Sequence, residues 1–138
     1  MAVILIVEDE ALLRLLAERM IQDWGHQTLS AGDVDGALLL LRSPQPIDAL
    51  FTDIRLQAGT FSGFELALEA IKLRPEMRVL YTTGSSATDK MKAQFVKGAH
   101  FLPKPYLEQH LKHSVEGLLA DSVEGLRGDS VEGLLAAQ

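Results

Sequence analysis

Glu8 and Asp9 close the apolar run AVILIV, Asp53 closes IDALFTD, Thr83 and Gly84 close RVLYTTG, and Lys104 stands between two prolines in HFLPKPY. Each follows a short apolar stretch of strand type. Three carboxylates gathered in one place repel one another, so one takes a proton or a cation joins them. An oxygen-only cluster without histidine or thiol suits Mg²⁺, which binds few carboxylates and keeps several waters. A lysine ammonium adds a point positive charge, and a threonine hydroxyl adds a donor. Together these groups match a doubly charged phosphoryl group held on a carboxylate oxygen. Asp53 is the natural nucleophile, because its strand is expected at the centre with the other groups around it. Pro103 and Pro105 fix their own φ and push the residues before them towards extended backbone, so Lys104 cannot join a helix.

Singly, each residue has a duller explanation. Asp9 reads as a helix N-cap, Glu8 as a solvated loop charge, Thr83 as a turn cap and Lys104 as a surface lysine. Polar residues scattered at random would not all fall at the ends of apolar strands, and that convergence favours a site.

The elements that would position these groups alternate along the chain. Strands are expected over 2–7, 26–31, 47–53, 78–84 and 100–102. Helices are expected over 10–25, 33–43, 62–75, 86–99 and 106–120. Leu12, Leu13, Leu16, Met20 and Trp24 recur near helical spacing in the first helix, and Gly25 ends it. Asp33 reads as the N-cap of the second helix, which Pro44 stops, and Gly98 lies just past the fourth. Alternation at this spacing implies an α/β fold, a doubly wound parallel sheet of five strands with helices on both faces and right-handed crossovers. Such sheets bind ligands beyond the carboxyl ends of their strands, which is where the polar residues lie.

The chain has 138 residues, 47% of them hydrophobic and 23% charged, which suits one domain with one core. Its net charge of −6 argues against non-specific binding to nucleic acid or to an anionic membrane. It contains no cysteine, which excludes disulfides, thiol catalysis and cysteine zinc sites. No leader-like segment precedes the first strand, and no apolar run approaches a membrane span. A soluble cytoplasmic protein is expected.

The segments ILIVEDE, FTDI, LYTTG and FLPKPY together resemble the receiver domain of bacterial two-component response regulators, over about residues 3–119. The resemblance implies a flavodoxin-like strand order 2-1-3-4-5. It implies that Asp53 accepts a phosphoryl group from a histidine kinase or a histidine phosphotransfer protein. Asp9 would hold Mg²⁺ directly, Glu8 through water, and the Arg55 backbone carbonyl would be a third protein ligand. Thr83 matches the switch hydroxyl, Lys104 the phosphoryl-binding lysine and Phe101 the aromatic switch residue. The peptide bond before Pro105 is often cis in this family. Activation would alter the face built from the fourth helix, fifth strand and fifth helix, which then binds an output protein. Such a chain catalyses only its own phosphotransfer and dephosphorylation. Arg55 and Ser85, two residues after Asp53 and Thr83, match the positions that flank the path of attacking water. Two departures stand out. Gln57 replaces the usual proline, and Gly63 follows Asp53 by ten residues where the family has eight, so RLQAGTFSG is longer than usual.

An aspartyl-phosphate hydrolase of the haloacid dehalogenase type is the alternative. It needs an acid two residues after the nucleophile, where this chain has Arg55. A flavin-binding module would need a glycine-rich phosphate loop in place of EDE.

After the fifth strand the chain repeats an octad three times, as HSVEGLLA, DSVEGLRG and DSVEGLLA. Eight residues of helix advance about 800°, so the apolar group turns by roughly 80° per repeat and cannot stay on one core. A receiver domain over 1–120 and an octad extension over 121–138 are therefore expected, the extension being either frayed helix or an arm for a homodimer. Val123, Leu126, Val131, Leu134 and Leu135 are its expected exposed apolar residues.

Overall fold

The computed structural model describes residues 1–56 and 62–127, the last six of these, 122–127, as backbone alone. Strands β1 (Val3–Val7), β2 (Gln27–Ala31), β3 (Ala49–Asp53), β4 (Arg78–Thr83) and β5 (His100–Pro103) alternate with helices α1 (Ala11–Asp23), α2 (Val34–Leu41), α3 (Ser62–Leu73), α4 (Asp89–Lys92) and α5 (Glu108–Arg127). The strands form one parallel sheet in the order β2-β1-β3-β4-β5. The doubly wound order expected from the resemblance is thus present, with β3 in the middle and β2 and β5 at the edges.

Successive strand residues point to opposite faces. Leu5, Val7, Leu50, Val79 and Tyr81 enter one core layer with residues of α2 and α3. Ile4, Ile6, Ala49, Phe51 and Leu80 enter the other, against Ala17 and Ile21 of α1 and Leu111, Val115 and Leu118 of α5. Two buried faces explain why the central strands read as unbroken apolar runs. Pairing aligns the strand ends: Val7 lies opposite Thr52, Asp53 opposite Thr82, and Thr83 opposite Pro103.

The local signals behave as their chemistry requires. Gly25 ends α1 at φ 95, a left-handed conformation that glycine adopts without steric cost. Asp33 caps α2, its side chain accepting from the Gly36 N–H at 2.7 Å.

Three helices differ from the sequence expectation. The core face of α1 is Ala17 and Ile21, while Leu12, Leu15 and Leu16 remain exposed at 66%, 44% and 47%. The fourth helix is not the expected 86–99 but only Asp89–Lys92. Beyond it Gln94, Phe95 and Ala99 donate three residues back, to Met91, Lys92 and Val96. The Val96 N–H donates to the Tyr81 hydroxyl. The pull of that hydroxyl and of an aromatic cluster outweighs helix continuation there. The last helix starts at Glu108 and runs past the expected end at 120 to Arg127. The expected exposure of Val123, Leu126, Val131, Leu134 and Leu135 falls outside the described side chains, as does Gln57.

Candidate functional site

The site forms because four strands end at one edge of the sheet. β1 delivers Glu8 and Asp9 just beyond Val7, β3 ends on Asp53, β4 ends on Thr83, and Lys104 directly follows β5. Burial at the edge is deep: Glu8 and Asp53 are each only 6% exposed, and Thr83 1%. Lys104 reaches across this edge. Its Nζ donates to Asp53 Oδ2 at 2.7 Å and to Glu8 Oε1 at 2.8 Å. Its backbone N–H donates to the Thr83 carbonyl, which ties the lysine to the end of β4. The Lys104–Pro105 bond is cis, as the resemblance implied.

Carboxylate oxygens of Glu8, Asp9 and Asp53 lie within 4.8 Å of one another. The other oxygens of the two buried acids are also engaged. Asp53 Oδ1 accepts from the Arg55 N–H, and Glu8 Oε2 accepts from the Glu10 N–H. Asp9 is exposed at the rim, so its carboxylate is open to solvent. It is not the N-cap of α1, whose capping position is Glu10.

Burial pushes the Glu8 carboxyl above its usual range; its bonds to Lys104 and the Glu10 N–H oppose that rise, and the Asp53 charge adds to it. Burial alone would lower the Lys104 ammonium, but its bonds to Asp53 and Glu8 outweigh that penalty and raise it. The ammonium is therefore firmly charged, as an internal counter-ion to the buried acids. Hard oxygens at this spacing, already gathered around one cation, fit a small divalent ion such as Mg²⁺.

Thr83 lies at the edge, with its Oγ1 accepting from the Ser85 N–H at a long 3.5 Å. Phe101 sits one strand away, half-buried, in a chain of rings. Its ring lies 6.0 Å from Phe95, which lies 4.6 Å from Tyr81 and 6.1 Å from Phe64. The expected site residues of β1, β3 and β5 are thus in direct contact, whereas Thr83 and Phe101 flank them. The Arg55 side chain is exposed and its backbone N–H bonds Asp53.

Arg14 escapes sequence reasoning, and Gly63 is legible there only as a displaced loop glycine. Arg14 Nη1 donates to the Glu8 carbonyl at 2.7 Å and so ties α1 to the acidic loop. From sequence it reads as an ordinary exposed helix charge. Gly63 opens α3 directly against β3, donating its N–H to the Ile54 carbonyl. The extra loop residues hid how close that approach is.

Beside Lys104 an open groove of about 420 Å³ runs between α1 and the start of α5. Leu13, Leu16 and Met20 form one wall, with Pro105 and Tyr106 on the other.

Residues 4–116 match the family model for the response regulator receiver domain. The chain is 35% identical over 105 residues to the nitrogen assimilation regulatory protein NtrX of Azorhizobium caulinodans, covering 75% of this chain but 23% of that protein. A response regulator receiver protein from Sinorhizobium medicae superposes with a TM-score of 0.79 at 29% identity, covering 88% of this chain and 96% of that one. The receiver domain of NtrX from Brucella abortus gives a TM-score of 0.75 at 32% identity, covering 85% and 98%.

Proposed function

This chain belongs to the response regulator receiver domain family, and on that premise we propose that it accepts a phosphoryl group on Asp53 and passes the event to a partner protein. The observation that carries this reading is the pair of bonds from Lys104 to Asp53 and Glu8, beside Asp9.

The donor is a histidine kinase or a histidine phosphotransfer protein. An Asp53 carboxylate oxygen attacks the phosphorus, the donor's N–P bond breaks, and its electron pair stays on the imidazole nitrogen. Asp9, Asp53 and the Arg55 carbonyl, with Glu8 through water, would hold Mg²⁺, which supplies positive charge for the phosphoryl oxygens. Lys104 orients Asp53 beforehand and then transfers its hydrogen bonds to the arriving phosphoryl group. Thr83 donates its hydroxyl to that group once it is present. The exposed leucines of α1 and the groove beside Lys104 give the donor an apolar surface next to the nucleophile. Beyond this self-transfer and its reversal by water, the chain performs no catalysis. Among the described residues no helix is long and apolar enough to cross a membrane, in keeping with a cytoplasmic signalling role.

Phe101, Phe95 and Tyr81 connect the site's edge to the α4–β5–α5 face, which we assign to the output partner. The test is incubation with a small phosphodonor and Mg²⁺, read by intact mass. Wild-type chain gains one phosphate and Asp53→Asn gains none. Full labelling of Asp53→Asn would overturn the reading.

A further inference from the structure

Several residues of the last helix face the sheet or its edge. Leu111, Val115 and Leu118 are buried at 0%, 1% and 2% in the second core layer. Gly117 faces the His100 ring at ordinary contact distance, and Asp121 Oδ2 meets His100 Nε2 at 2.5 Å. Eight residues later the chain carries the same five types in the same order: Leu119, Val123, Gly125, Leu126 and Asp129. The residue types of the buried positions and of the polar anchor recur in the same spacing. Amphipathic character alone would repeat the leucines; it would not repeat the aspartate that pairs with His100.

The second segment cannot reach the seat of the first in its own molecule while α5 is intact. In an unbroken helix a shift of eight residues is about 12 Å along the axis and a turn of roughly 80°. The helix is continuous through Arg127, with Leu119 still packed against its own core. Docking it there would require eight residues of the helix to be looped out. A second copy offers the same seat without breaking the helix.

We propose that residues 119–129 are a second docking segment for the α5 seat, and that they fill that seat in another copy of this chain. The product is a reciprocal exchange dimer, in which each protomer's Leu119, Val123 and Leu126 replace the partner's Leu111, Val115 and Leu118, and Asp129 takes the place of Asp121 at His100. Exchange of segments between copies is a low-cost route to dimers; here the shifted segment supplies the same three apolar types for the buried positions, with Arg127 in place of the half-buried Leu119.

The full chain is the material for the test. Val115→Ser/Leu118→Ser weakens the first segment and leaves the second intact. This variant should remain folded by circular dichroism and be dimeric by light scattering, with a dimer dissociation constant at least about ten-fold below wild type. Its melting temperature should rise with protein concentration. Val123→Ser/Leu126→Ser should be a folded monomer, and the four changes together should prevent folding. A folded, monomeric Val115→Ser/Leu118→Ser chain would overturn the proposal, and so would one that stays unfolded up to millimolar concentration.

A covalent trap reads the wild-type core independently. The chain has no cysteine, so His100→Cys/Asp129→Cys introduces a single reporting pair. Mild oxidation should give a disulfide-linked dimer in excess of that from His100→Cys alone. Cross-linking only within one chain, or no excess over the single variant, would overturn it.

Discussion

Gly63 stands against the backbone of Asp53 so closely that a β-carbon there would lie 2.2 Å from the Asp53 carbonyl oxygen and 2.7 Å from Ile54 Cα. No side chain fits, and the neighbour is backbone at the end of the central strand. The first turn of α3 therefore sets how β3 presents its carboxylate. Gly63→Ala should cost about 3 kcal/mol in urea unfolding, because backbone rather than a pliable side chain must yield. Phosphate uptake should slow as Asp53 is displaced. A loss under about 0.5 kcal/mol with unchanged uptake would mean the loop absorbs the clash.

Lys104→Ala removes the internal cation between two buried acids. Without Mg²⁺ the variant should lose about 2–3 kcal/mol, since like charges then face each other at a largely buried edge. Added Mg²⁺ should recover much of that, and the variant should bind the ion more tightly than wild type. Phosphorylation should persist at a reduced rate, without the amide shifts along β5 that accompany it in wild type. Equal Mg²⁺ affinities by calorimetry would contradict the counter-ion role.

Asp9→Ala should weaken Mg²⁺ binding by about ten-fold, and Glu8→Ala by less. Asp9 offers an open carboxylate at the rim, whereas Glu8 already holds Lys104 and the Glu10 N–H. The comparison is a calorimetric titration of the two variants. The reverse order would move the direct ligand from Asp9 to Glu8.

Tyr81→Phe leaves the part-buried Val96 N–H without its acceptor and should cost about 1 kcal/mol at neutral pH. Burial raises the Tyr81 phenol above its usual 10.0, with the bond from Val96 opposing that rise. The folded chain therefore keeps this proton where the unfolded chain gives it up. Tyr81's contribution is complete below pH 10 and falls away as pH climbs through the raised value. Urea midpoints of wild type and Tyr81→Phe should converge in that alkaline window. A constant gap would place the hydroxyl in contact with solvent.

The sequence made the strands and their polar ends legible because both signals are local. A β-branched apolar run marks β1 and a short apolar run marks β3, and the acids and Lys104 stand at or directly after strand ends. Asp33 and Gly25 announce helix ends through their own backbone chemistry. The fourth helix is shorter than expected because Gly98 reads as the end of one continuous helix. What ends that helix is the hydroxyl of Tyr81, on another strand and invisible to periodicity. The leucines of α1 misled for a related reason. Spacing shows that Leu12 and Leu16 share a face with Met20, but the packed face is set by Ala17 and Ile21, small and branched enough to meet the sheet. Arg14 gave no signal, because its partner is the carbonyl of Glu8, and any residue carries a carbonyl.

The brevity of α4 has an evolutionary reading. Residues 93–99 hold their shape through Phe95, Tyr81 and the Val96 N–H rather than through an unbroken helical ladder. None of those groups is among the hydrogen-bond partners of Asp53, Glu8 or Lys104. Substitutions there can redraw the surface offered to a downstream protein while the acidic edge stays intact. On the proposed reading, the face that meets a partner and the edge that would take phosphate could then vary independently.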